Sequence, residues 1–172
     1  MVKSSEIFFL PEDTYGIPFV KNLIKRLKDE GFLSSDISIA KAYKLPGKCN
    51  PKLSRIIKAA YDDYDRIIIL ADAEGSDVTY MKRKLENHVP SPFEHKVRII
   101  ILKYCIEEWV CIGLNIRFRH NPIEALKNYV RRTRGAKKSY EKYMLPSFVP
   151  KLDLNRLSSY SSFREFLGTL LS

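Results

Sequence analysis

Acidic side chains follow two short apolar segments that have the length of strands. Glu12 and Asp13 come directly after the first segment, and Asp72 closes the second, with Glu74 and Asp77 in the turn behind it. Clustered carboxylates repel one another unless a cation neutralises them, and oxygen ligands of this kind suit Mg²⁺ or Mn²⁺. A metal so placed can bridge phosphate oxygens and stabilise an in-line displacement. The pattern therefore points to metal-dependent phosphoryl transfer.

A later apolar segment brings a lysine and two more acids to the same kind of position. The segment KVRIIILKYC contains Lys103 near its end, and Glu107 and Glu108 follow it. Lys103 is interpreted either as a solvated strand end or as a contact to phosphate. Because carboxyl ends of parallel strands share one edge of a sheet, Glu107 or Glu108 is a candidate additional acid.

The elements that must position these residues alternate between strand and helix. Ile67 to Leu70 is apolar on successive residues, as in a parallel strand covered on both faces, so its strand is predicted to be central. The alternation predicts an α/β fold, a doubly wound and mainly parallel sheet of about four to five strands with helices on both faces. The predicted strands are Glu6–Pro11, Asp36–Leu45, Arg66–Asp72 and Lys96–Cys105.

Helix signals separate these strands. Apolar residues recur at helical spacing up to Gly31, and Asn50-Pro51 combines a cap with a proline at the first helical position. A further helix is predicted after Asp77 and a short one over Ile106–Leu114, whereas Pro90 to Pro92 is predicted to be a loop. Each strand is thus joined to the next by a helical crossover.

The pattern changes beyond about residue 115. Asn121-Pro122 opens another capped helix, a basic connector and the stretch Pro146 to Pro150 follow, and SSFREFLGTLL predicts a final amphipathic helix. We expect one domain over 1–172, with a core of about 5–115 and a helical, basic extension of about 116–172. The extension is predicted to pack on the sheet rather than to form a second domain.

The charge distribution points to a polyanionic partner, most often nucleic acid. The formal net charge is +10, and only Glu124 and Glu141 oppose the basic residues between Arg117 and Lys142. The alternative is a solvated helix face that binds nothing. The nine basic residues of this stretch are Arg117, Arg119, Lys127, Arg131, Arg132, Arg134, Lys137, Lys138 and Lys142.

Other classes of protein are disfavoured. Cys49, Cys105 and Cys111 are odd in number and form no CxxC pair, which argues against a disulfide framework or a zinc site. No apolar run approaches the ~20 residues that span a bilayer, and the N-terminus makes a poor signal peptide. We therefore expect a cytoplasmic protein without a membrane partner. The oligomeric state has no signal in the sequence.

At its acidic positions the chain resembles the TOPRIM (topoisomerase–primase) family, which also occurs in OLD-type nucleases, over roughly residues 5 to 110. FFLPEDTYG supplies the glutamate that this family has after its first strand, Glu12, and IIILADAEGSD supplies the acid pair, Asp72 and Glu74, followed by Gly75. The resemblance implies acid–base chemistry by Glu12 and Mg²⁺ binding by the paired acids. It departs from the family at Asp13, where glycine is usual, and at Glu74, where aspartate is usual.

Three functions are compatible with these observations. The first is Mg²⁺-dependent phosphodiester chemistry on DNA or RNA. In it Glu12, Asp72 and Glu74 are catalytic, Asp77 joins them as a metal ligand, and the basic residues hold the nucleic acid. The second is a non-catalytic nucleic-acid-binding module of the same fold. The third is a phosphoacceptor receiver-like domain, which also places acids after its first and third strands and a lysine after a late one.

Overall fold

The computed structural model describes residues 4–172 and contains a parallel sheet with strand order β2-β1-β3-β4. Residues 1–3, which belong to the predicted domain, lie outside the described residues. The predicted doubly wound α/β fold is confirmed, with four strands in the described part of the chain. They are β1 (Ser5–Pro11), β2 (Ile37–Ala42), β3 (Arg66–Asp72) and β4 (Val97–Leu102).

Strand β3 is central, as its sequence predicts. It pairs in parallel with β1 on one side and with β4 on the other, so that Ile68 lies opposite both Phe9 and Arg98. Residues Ile67 to Leu70 are all buried, since helices cover both faces of the sheet at this strand.

Neighbouring residues of β1 face different cores. Phe9 belongs to the cluster covered by α1 (Gly16–Asp29) and α4 (Glu107–Gly113), whereas Phe8 belongs to the cluster covered by α2 (Lys52–Ala60) and α3 (Val78–Glu86). The chain therefore leaves β1 and β3 toward opposite faces of the sheet. The crevice between the carboxyl ends of these two strands is the topological switch point, where open α/β sheets bind ligands.

Side-chain caps fix several helix starts. The Oδ1 atom of Asn50 accepts from the backbone N–H of Lys52 at 3.0 Å, and that of Asn121 accepts from Glu124 at 3.1 Å. At the other end of α1, Gly31 has φ +81°, a conformation that favours glycine. These contacts confirm the helix boundaries predicted at the three positions.

The two edge strands are shorter than predicted. Strand β4 ends at Leu102 because the next two N–H groups, of Lys103 and Tyr104, donate to the Glu108 carboxylate instead of to a strand. Strand β2 ends at Ala42, although Tyr43 and Leu45 still donate single hydrogen bonds to β1.

The proline-containing segments form 3-10 helices. The predicted loop at Pro90 to Pro92 leads into a 3-10 helix over Ser91–Lys96, and Pro146 to Pro150 lies in a second one over Lys142–Lys151. The remaining helices are α5 (Pro122–Arg134), α6 (Leu154–Ser158), which the sequence pattern did not predict, and α7 (Ser161–Leu171).

The C-terminal extension packs against the sheet. The buried Trp109 ring lies 5.0 Å from the Phe163 ring and 5.3 Å from the Phe166 ring, and its Nε1 donates to Ser162 Oγ at 2.9 Å. The guanidinium of Arg66 donates to the last carbonyls of α7 at 2.6 and 3.0 Å. One hydrophobic core thus joins β1, β3 and β4 to α7.

Two glycines give opposite stability predictions. A Cβ at Gly113 would lie 2.8 Å from Leu152, whereas a Cβ at Gly168, inside α7, meets nothing within 4 Å. We expect Gly113→Ala to lower the free energy of unfolding by about 1–3 kcal/mol through overpacking. Gly168→Ala should raise it by about 0.5–1 kcal/mol, because alanine favours helix. Urea denaturation measures both, and equal effects would contradict the packing described here.

Candidate active site

Five carboxylates gather at the carboxyl edge of the sheet, and we call this group the acid edge: Glu12, Asp13, Asp72, Glu74 and Glu107. Its centre is a hydrogen bond across the switch point, in which Glu12 Oε2 accepts from the backbone N–H of Asp72 at 2.7 Å. The end of β1 and the end of β3 are thereby held together. The predicted juxtaposition of Glu12 and Asp72 is present in the structure.

Two lysines offset part of the charge of the acid edge. Lys48, in the loop after β2, lies 3.1 Å from Glu12 Oε1 and 3.8 Å from Glu74 Oε1. Lys142 lies 2.6 Å from Asp13 Oδ2 and 2.7 Å from Glu107 Oε1. Since the same Lys142 nitrogen makes both of these contacts, the carboxylates of Asp13 and Glu107 are near neighbours. Their mutual repulsion would be large without the ammonium.

Glu107 is the fully buried member of the acid edge. Its Oε1 also accepts from the Tyr140 hydroxyl at 2.9 Å, whereas its Oε2 has no hydrogen-bond partner among residues 4–172. Burial, together with the adjoining Glu107 carboxylate, raises the pKa of the Cys105 thiol and of the Tyr140 hydroxyl. Both groups therefore keep their protons, and one oxygen of Glu107 is left for a further positive group.

Asp72 has the most perturbed environment among the predicted metal ligands. Burial, and after it the carboxylates of Glu12 and Glu107, raise the pKa of Asp72 to about 8, against the opposing effect of Lys142 and Lys48. Near neutral pH the acid edge thus favours a proton or another cation at this position.

The turn after Asp72 presents Glu74 to solvent. Glu74 and Gly75 have φ values of +52° and +82°, and their N–H groups donate to the carbonyls of Tyr104 and Lys103 at 3.3 and 2.8 Å. The Glu74 side chain is 72% exposed, and Lys48 is its ion-pair partner. Glu74 therefore lies at the rim of the acid edge, while Glu12 and Asp72 form its centre.

The carboxylates of Asp77 and Glu108 accept hydrogen bonds from backbone N–H groups. Asp77 Oδ1 accepts from the N–H of Tyr80 at 2.8 Å and caps α3. Glu108 is buried and accepts from Lys103 and Tyr104 at 3.1 Å each. Burial raises the pKa of Glu108 to about 7, although these two bonds lower it. Of the two candidate additional acids, it is Glu107 that reaches the acid edge.

Lys103 is exposed and turned toward an aromatic ring. Its ammonium lies 5.4 Å from the centre of the Tyr104 ring. Within the described residues, Lys48 and Lys142, not Lys103, make ion pairs with the acid edge.

The basic stretch, Arg117 to Lys142, runs from α4 to the acid edge. Two of its arginines stack on rings: Arg132 lies 5.9 Å from the Tyr129 ring centre and Arg134 lies 5.7 Å from that of Phe148. The stretch ends in Lys142, so its last residue enters the acid edge. The predicted nucleic-acid contacts in it are all exposed, namely Arg131, Arg132, Arg134, Lys137 and Lys138.

The space between the acids is small. A cavity of about 10 Å³, room for about one water, is bordered by Glu12, Asp13 and Asp72. Across residues 4–172, no group of three or more histidine, cysteine, aspartate or glutamate side chains is arranged to hold a metal. In the geometry described, Lys48 and Lys142 each contact two of the acids.

No protein-family model matches the chain, and no curated protein matches it either.

A separate property concerns membranes. In the described part of the chain, none of the helices has the length and apolar character that crossing a bilayer requires.

Lys48 and Tyr140 contribute to the acid edge without belonging to any sequence motif. The available signal for Lys48 is its position in the loop after a predicted strand, at the edge where the acids are expected. Tyr140 has no such signal, because it reaches Glu107 from 33 residues further along the chain.

The raised pKa of Asp72 gives a pH prediction. Between its ordinary value, 3.8, and about 8, the folded protein holds a proton that the unfolded chain has lost. Stability should therefore fall as the pH rises through this window, by at most roughly 1.4 kcal/mol per unit for one proton. Asp72→Asn cannot ionise and should lose less stability between pH 5 and pH 8 in urea denaturation without divalent ions. Asp77→Asn, which keeps a capping side chain, is the control and should follow the wild type.

Removing Lys142 should destabilise the fold more than removing Lys48. Lys142→Met leaves the buried Glu107 without its cation, at a cost of about 1–3 kcal/mol once the 41% exposure of the lysine is allowed for. Lys48→Met frees only partly exposed acids and should cost less than about 1 kcal/mol. The measurement is the free energy of unfolding at pH 7. A larger loss for Lys48→Met would contradict this order.

Proposed function

We propose that the chain carries out Mg²⁺-dependent phosphodiester chemistry on nucleic acid, as its resemblance to the TOPRIM family implies. The observation that carries the proposal is the contact between Glu12 and the backbone of Asp72 at the switch point. It brings the two acids that the resemblance selects to the place where α/β sheets bind ligands.

The acid edge is chemically suited to a hard cation. Its donors are carboxylate oxygens, it contains the buried and unpartnered Oε2 of Glu107, and Asp72 favours a positive neighbour. Mg²⁺ usually takes only one or two protein carboxylates and completes its shell with water and substrate phosphates. Glu12 and Asp72 would hold the ion, and binding without substrate is therefore expected to be weak. An ion held there would supply a positive charge that stabilises the negative charge developing on a phosphate.

The chain's own residues have separate tasks in this proposal. Lys48 would exchange its contact with Glu12 for a contact with a substrate phosphate at the rim. Lys142 keeps Asp13 and Glu107 neutralised, so that neither carboxylate repels the substrate. Glu12, once free of Lys48, can accept a proton from the attacking group.

The exposed arginines and lysines of the basic stretch supply the affinity for a polyanion. An acid edge alone would repel a phosphate backbone, and cations nearby offset this repulsion. The stretch enters the acid edge at Lys142, so the two surfaces are continuous along the chain.

A second candidate is a nucleic-acid-binding module of the same fold without turnover. The observation in its favour is that Lys48 and Lys142 already neutralise four acids of the edge. The receiver-like alternative has less support from the geometry, because Lys103, its expected active-site lysine, lies over Tyr104.

The metal is tested by calorimetry with Mn²⁺. We expect weak binding heats for the wild type and none for Asp72→Asn, while Asp77→Asn should bind like the wild type because Asp77 caps α3. In parallel, single- and double-stranded DNA and RNA are incubated with Mg²⁺ or Mn²⁺, and cleavage should require Asp72. Equal heats for the wild type and Asp72→Asn would contradict the metal site. Nucleic-acid binding without any cleavage would support the non-catalytic module.

The basic stretch is tested by the triple change of Arg131, Arg132 and Arg134 to Ala. It should weaken binding equally across sequences and flatten the salt dependence by about two to three units. The control triple change of Lys52, Arg55 and Lys58 to Ala removes the same charge from exposed positions of α2 and should leave the slope nearly unchanged. Equal effects of the two changes would show that only the net charge matters.

A further inference from the structure

Three rings and a lysine lie together beside the acid edge, and we call them the Tyr104 cluster: Lys103, Tyr104, Phe118 and His120. The Phe118 ring meets the Tyr104 ring edge-on, with 6.0 Å between the ring centres and 89° between the planes. His120 Nδ1 lies 3.2 Å from the Tyr104 hydroxyl. Tyr104 and Phe118 are both only partly buried, so that aromatic surface remains accessible to solvent.

The Tyr104 cluster is tied to the turn that follows Asp72. The Tyr104 carbonyl accepts from the N–H of Glu74, and its ring lies over Gly75, where an added Cβ would come within 3.6 Å of it. A ligand on this ring is therefore adjacent to the rim of the acid edge.

The surroundings of the Tyr104 cluster are basic. Lys103, Arg117 and Arg119 are exposed, and in the described part of the chain none of the three has an ion-pair partner. Partly exposed rings among unpaired cations are the features with which proteins bind single strands, since every base has a face that can stack and every nucleotide carries a phosphate.

The molecule contains a second group of the same composition, the Tyr61 cluster: Tyr61, Phe93, His95 and Lys96. Its Lys96 ammonium lies 4.4 Å from the Tyr61 ring centre, Phe93 meets that ring at 61°, and His95 Nε2 lies 2.8 Å from the Tyr61 hydroxyl. In this cluster, however, the Lys96 ammonium donates hydrogen bonds to the carbonyls of Tyr61 and Tyr64.

The charge around the Tyr61 cluster is also opposite. The pocket beside it lies at the amino end of the sheet, away from the acid edge, and its charged lining consists of Lys96 and four acids, Glu6, Asp62, Asp63 and Asp65. A nucleic-acid strand would be repelled there. Composition alone therefore does not make a stacking surface, and the charge around the rings distinguishes the two clusters.

We propose that the Tyr104 cluster binds an unpaired base of single-stranded nucleic acid and so places the adjoining phosphate at the acid edge. The inference rests on the proposed function and makes it narrower, because it selects single strands over duplexes as the substrate class. The base stacks on the Tyr104 and Phe118 rings, while Lys103, Arg117 and Arg119 contact the flanking phosphates.

The test separates base binding from phosphate binding. Affinity is measured for two labelled single strands of equal length, oligothymidine and an oligomer of abasic residues, which carries the same phosphates without bases. We expect the wild type to bind oligothymidine more tightly, and Tyr104→Leu to reduce this preference by about 5- to 100-fold. Tyr104→Phe should retain the preference, and Phe118→Leu, which keeps an apolar side chain against the core, should reduce it. Tyr61→Leu is the matched control and should leave it unchanged.

Each outcome decides something definite. Equal affinity of the wild type for the two oligomers overturns the stacking inference and leaves the proposed function standing. A preference that survives in folded Tyr104→Leu and Phe118→Leu, or that Tyr61→Leu removes equally, also overturns the inference. If neither oligomer binds, the inference fails, and the proposed function fails with it only if duplex DNA and duplex RNA are not bound either.

Discussion

The accumulation of negative charge at the carboxyl edge of the sheet is the constraint on which the rest of the structure depends. Parallel strands bring Glu12, Asp72 and Glu107 to one edge, and a sheet buried on both faces leaves little water there to screen them. Two lysines form ion pairs with these acids. Lys48 comes from the loop after β2, and Lys142 comes from the C-terminal extension. Both arise outside the segments that carry the acids, so the acids and their lysines meet only in the folded chain.

This constraint also accounts for the attachment of the extension. Lys142 stands at the start of a 3-10 helix whose later residues, including Phe148 and Val149, enter the same core as α1 and α4. Trp109, two residues after Glu107, packs on the rings of α7. The extension therefore contributes a cation to the site and a hydrophobic cover to the sheet. Loss of the Lys142 cation would weaken the packing of the hydrophobic cover, and loss of that cover would disturb the site, because α4 carries both Glu107 and Trp109.

The parts that could be predicted from the sequence are those fixed by local patterns. The apolar run Ile67 to Leu70 predicted a central strand, and β3 has the predicted bounds. Asn50 predicted the start of α2. The closeness of Glu12 and Asp72 depends on β1 and β3 being neighbours, and this strand order is given by the structure and not by the local patterns. Lys48 and Tyr140 could not be found this way, since their contacts depend on how distant loops cross the edge. Asp77 illustrates a different limit, because one residue type serves both metal binding and helix capping, and only the geometry shows the cap.

The central claim is that the acid edge is built to receive a cation at Asp72. Carbon-13 NMR titration of the Asp72 carboxyl, without and with saturating Mg²⁺, tests it most directly. The account predicts a pKa of about 8 without the ion and a fall well into the acidic range with it, because a bound cation replaces the proton. A pKa of Asp72 that is the same in both titrations would contradict the claim.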